Sequence, residues 1–180
     1  MVAGTLPQPR LTARWSAALW PLAAMVAMLS FATALRFFNA GAQEIWGDEG
    51  AKLEVVTQGI GWLFNPAAEV HPRAFHSLLY IWYSIFGFNV FGLKTLPALL
   101  GVLGVAVNYA VARKLTRSQA IALGTALITA VSPFQVWYAQ DLTQYTLLMV
   151  LVGLCQLALL HAQAEPGRIE RWALVTLSSA

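Results

Sequence analysis

The stretch LTQYTLLMVLVGLCQLALLHAQA, residues 142–164, runs for 23 residues without Asp, Glu, Lys or Arg. A helix rises about 1.5 Å per residue. About 18 or more apolar residues therefore suffice to cross a hydrocarbon core about 30 Å thick. Four further uncharged runs lie upstream: 15–35 with 21 residues, 74–93 with 20, 95–112 with 18 and 118–140 with 23. The 180-residue chain is 58% hydrophobic and 11% charged, against about 45–50% and about 25% in soluble domains. A chain of this size must still cover a wet surface, so a core cannot absorb the excess. A soluble enzyme or DNA-binding domain is excluded. The expectation is an all-α polytopic membrane protein with about four to five transmembrane helices.

Outward from these runs, the charges are few and grouped. Arg10 with Arg14, Arg113–Lys114 with Arg117, and Arg168 with Arg171 sit between apolar runs. That is the pattern of topology signals, and the net charge of +3 implies no nucleic-acid partner. Cys155, alone in a Leu/Val-rich run, offers no disulfide or metal motif and reads as packing. Ala32-Thr33-Ala34 and Ala40-Gly41-Ala42 look like signal-peptidase sites. The first run has 21 uncharged residues, however, where a signal sequence has about 7–15 apolar ones, so an uncleaved span is favoured. Residues 1–14 read as a cytoplasmic tail, and 15–165 as a transmembrane domain. The apolar segment 172–180 reads as the start of a further helix, and the whole as the N-terminal portion of a longer protein.

Residues 39–73 hold five of the eight acids: Glu44, Asp48, Glu49, Glu54 and Glu69. Leu53, Val56 and Ile60 recur there at helical spacing opposite Asp48, Lys52 and Glu54, which predicts a short amphipathic helix on the bilayer surface. Gly59-Ile60-Gly61 and Asn65-Pro66 end it. Run 74–93 is rich in Phe, Tyr and Trp, which favour the headgroup zone, and Gly87-Phe88-Asn89 interrupts it. Counting cations decides how it lies. With a cytoplasmic N-terminus and 74–93 crossing, three of eleven cations fall inside. If 74–93 stays at the outer interface, seven do, which obeys the positive-inside tendency. Full crossing with an external N-terminus places eight inside, so charge leaves that arrangement open. In the interfacial arrangement 39–93 is a first external loop, and Asp48, Glu49 and Asp141 emerge on one face.

Acids at the edge of a membrane core are candidates for function. Two carboxylates facing one pocket can act as a general base or hold a divalent cation, here Asp48 with Asp141. A plainer reading stands beside it: Asp48 as a helix N-cap with Lys52 as its i,i+4 partner, and Asp141 as a helix-end residue in water.

Four motifs in order add a resemblance. Trp46-Gly47-Asp48-Glu49-Gly50 follows a first span, and His71-Pro72-Arg73-Ala74-Phe75 follows that. Phe86-Gly87-Phe88 with Phe91-Gly92-Leu93-Lys94-Thr95-Leu96-Pro97 comes third. Ser132-Pro133-Phe134-Gln135-Val136-Trp137-Tyr138-Ala139-Gln140-Asp141 with Tyr145 closes the series. Together they resemble the GT-C superfamily of polyprenyl-phosphate-sugar-dependent glycosyltransferases, which includes protein O-mannosyltransferases and aminoarabinose transferases. Arg73 replaces the family's second Pro, Asp141 stands for a common Glu, and Thr143 stands where many relatives carry Arg.

The resemblance implies a long first external loop with juxtamembrane helices and acids on the non-cytoplasmic side. It also implies a polyprenyl-phosphate sugar donor, an acceptor hydroxyl or amine, and a membrane such as a bacterial plasma membrane. On that reading Asp48 is the general base and Glu49 its catalytic neighbour. Asp141, His71, Arg73, Lys52 and Lys94 bind substrate or phosphate, and a divalent cation, if used, sits on Asp48 and Asp141. The rival is a non-catalytic membrane protein, a transporter fragment or a degenerate relative. A transporter is expected to carry charged or broken sites at span centres, whereas these centres are bland.

Overall fold

The computed structural model describes residues 11–65 and 73–164. All its regular structure is helical: α1 (Leu11–Phe37), α2 (Gly47–Thr57), α3 (Ile60–Leu63), α4 (Arg73–Phe86), α5 (Val90–Thr116), α6 (Gln119–Val131), α7 (Pro133–Tyr138) and α8 (Tyr145–Ala164). Among the described residues, three helices are long and apolar enough to cross a membrane, within 19–37, 90–116 and 145–163. The all-α membrane architecture is therefore present.

The uncharged run 118–140 is not one continuous helix. It divides at Ser132-Pro133 into α6, with 13 residues, and α7, with 6. Pro133 has no N–H and begins α7 at a position where none is needed, while Ser132 adopts ψ 120°, outside the helical region. Run 74–93 is likewise divided. Gly87 takes φ +60° after α4, a left-handed turn that glycine enters without penalty. Asn89 then caps α5, its Oδ1 accepting Gly92 N–H at 2.9 Å. The 14 residues of α4 extend about 21 Å, short of a bilayer core.

α5 is the central post, packed against α1, α6 and α8. Small residues bring these helices close, as lipid-embedded packing requires. Ala32, Val105, Ala126 and Ala130 form one buried seam. A Cβ on Gly104 would collide with Met149, and one on Gly153 with Val107. The helix directions follow from contacts at their ends. α1 rises, α5 descends, α6 with α7 rises and α8 descends beside α5.

One end of the bundle is covered by α2, α3 and α4. Leu53, Val56, Phe75, Leu79, Leu93, Leu96 and Leu142 form the apolar core there. The amphipathic helix expected after residue 47 exists, with one difference. Gly59 at φ +91° breaks its register, so Ile60 is exposed and Leu63 takes the buried place.

Candidate active site

The buried face of α2 carries Glu49, Leu53 and Val56, spaced by four and three residues. Glu49 is thereby turned inward with the leucine and valine, and it is 1% exposed. A carboxylate so placed needs partners. Oε2 accepts from Trp46 N–H at 3.4 Å. Oε1 accepts from the Leu142 backbone N–H at 2.7 Å and lies 3.3 Å from Lys94 Nζ. Lys94, near the start of α5, is also 1% exposed. One buried ion pair thus ties α2, α5 and the 139–144 segment together.

Asp141 adjoins this pair. Burial first, then the hydrogen bond with Glu49 and its negative charge, push the Asp141 carboxyl up to about 6. Thr143 and Lys52 pull it the other way. Two carboxyl groups and two lysines therefore influence each other at one end of the bundle.

The neighbouring backbone is held by exchanged caps. Arg36, in the last turn of α1, is fully buried and donates from Nη2 to Thr129 O at 3.1 Å and from Nη1 to Ala130 O at 3.1 Å. Thr129 O is the acceptor that the missing N–H of Pro133 leaves without its i+4 donor. In return, Gln140 Nε2 donates to Leu35 O at 3.1 Å and to Phe38 O at 2.9 Å, at the end of α1. Gln140 immediately precedes Asp141, so this exchange fixes the segment that carries the acid. Phe134, Tyr138 and Tyr145 stack edge to face with centroids 4.5 Å apart beside it. They line a cavity of about 340 Å³ between α5, α7 and α8.

Of the sequence candidates, Glu49, Lys94 and Asp141 are brought together, with Lys52 near enough to bias Asp141. Asp48 is exposed in the first turn of α2; the N-cap is Trp46, not Asp48. Lys52 Nζ donates to Asp48 O at 3.3 Å, a backbone bond rather than the expected side-chain pair. Arg73 opens α4 half-buried, with Nε making no hydrogen bond. His71 lies outside the described residues. No group of three or more His, Cys, Asp or Glu able to hold a metal occurs among the described residues. Lys94 already neutralises Glu49, so that carboxylate is committed within the protein. Sequence reading missed Arg36; a lone arginine ending an apolar run was the available signal.

The helices make an all-α membrane protein, and the family it matches makes it a membrane glycosyltransferase of the GT-C type. The family described as dolichyl-phosphate-mannose-protein mannosyltransferase matches residues 70–180, and the chain belongs to it. That stretch includes Lys94 and Asp141 but not Asp48 or Glu49. Neither the curated proteins nor the solved structures contain a match to this chain.

Proposed function

We propose that this chain transfers a sugar from a polyprenyl-phosphate-linked donor to an acceptor hydroxyl or amine on the non-cytoplasmic face. The observation that carries this reading is the meeting of Glu49, Lys94 and Asp141 at the end of the bundle where α5 and α8 begin. A site at the end of membrane-crossing helices suits the lipid phosphate of a membrane-anchored donor.

In the reaction the acceptor oxygen or nitrogen attacks the anomeric carbon, and the bond to the lipid phosphate breaks. Asp48, exposed beside the buried pair, takes the acceptor's proton as general base. Glu49 has every oxygen occupied and orients the site rather than entering the chemistry. Lys94 is closed off against Glu49, so Lys52 and Arg73, with His71, are the groups proposed to meet the leaving phosphate. Asp141, which feels the charge of Glu49, shapes the pocket. No step passes through a metal.

The test is transfer by the chain in liposomes, supplied with labelled sugar on either polyprenyl phosphate or a nucleotide. Release of polyprenyl phosphate coupled to acceptor labelling supports the reading; transfer from the nucleotide sugar alone contradicts it.

A further inference from the structure

At the end of the bundle away from the acids, α5 and α8 finish side by side around a cavity of about 890 Å³. Arg113, Lys114 and Arg117 line it from the end of α5, and His161 from the last turn of α8. Leu157 and Leu160 supply its apolar wall. No carboxylate among the described residues lines it. Glu49 and Asp141 are separated from it by the stretch of α5 between Lys94 and Arg113, about 28 Å. Lys114 Nζ stands 3.4 Å from His161 Nδ1 without an acid between them.

The carbonyl end of α5 contributes only about half a negative charge, too little for three permanent cations. Short basic clusters do set membrane topology, but that role asks for charge alone. It accounts neither for a concave site nor for its leucine wall.

We propose that this groove binds the phosphate-bearing headgroup of an anionic glycerophospholipid. Arg113 and Arg117 offer planar forks that match phosphate oxygens, and Lys114 adds a point charge. The acyl chains lie along Leu157 and Leu160, where the groove opens between two membrane helices. Basic pockets at helix ends on one face of a bilayer suit such headgroups. The site is independent of sugar transfer.

The full chain in zwitterionic detergent is offered mixed micelles of phosphatidylglycerol and phosphatidylcholine, and retained lipid is counted by native mass spectrometry. Phosphatidylglycerol is expected to be enriched about tenfold or more, since several basic residues meet the headgroup at once. The triple variant Arg113→Gln/Lys114→Gln/Arg117→Gln loses that preference. Leu157→Glu, which leaves the topology-setting cations intact, loses it as well. Equal retention of both lipids by the wild-type chain overturns the proposal, as does an unchanged preference in Leu157→Glu. Displacement of phosphatidylglycerol by inorganic phosphate at constant ionic strength assigns the site to a free anion and also overturns it.

Discussion

Glu49 Oε1 is shared between a backbone N–H from residue 142 and the ammonium of Lys94. Removing one member of a buried pair leaves the other charge uncompensated, at a cost of about 3–5 kcal/mol. Glu49→Gln is therefore expected to lower the melting temperature of the detergent-solubilised chain sharply. Glu49→Leu combined with Lys94→Met recovers most of the loss, because no lone charge remains. Asp141 gives a prediction in pH. Its folded pKa of about 6 lies above the ordinary value of 3.8. Between those values the folded state binds the extra proton, so this group's contribution to stability falls as pH rises through the window. Asp141→Asn removes the repulsion from Glu49. The variant melts above the wild type at pH 8 by about 2–4 °C, for a screened effect of roughly 1 kcal/mol. The difference shrinks toward pH 5, and a pH-independent difference would tell against the shared carboxyl site.

At the scale of elements, the α6–α7 break and the end of α1 complete one another. Arg36 supplies to Thr129 O the donor that Pro133 cannot. Arg36→Met is expected to destabilise by about 1–3 kcal/mol, the cost of leaving buried carbonyls unmet. Pro133→Ala restores a backbone N–H, so the same substitution costs less in that background; equal costs in both would contradict the exchange. These elements also show how far the sequence could be read. Apolar runs located the long helices because crossing a bilayer requires length and absence of charge. The break within 118–140 was visible as Ser132-Pro133, yet what compensates it was not, since Arg36 lies more than ninety residues away. Glu49 belonged to the inward face by its spacing to Leu53 and Val56. Pairing it with Lys94 needed the descent of α5 from Gly87 and Asn89, which no local pattern reports.

On the scale of the whole molecule, charge is divided between two ends. Glu49, Lys94 and Asp141 lie where α5 and α8 begin, and Arg113, Lys114 and Arg117 where α5 finishes. Cysteines at exposed positions in a Cys155→Ser background test this division across a real bilayer. Ala51→Cys and Tyr145→Cys should label from one side and Leu115→Cys from the other. Labelling of 51 and 145 from opposite sides would separate the acids and dissolve the site. Asp48 as general base is tested by sugar transfer from a polyprenyl-phosphate donor in the Asp48→Asn variant, with insertion verified by the same labelling. Transfer is expected to be lost with insertion intact, and wild-type turnover in that variant would remove Asp48 from the chemistry.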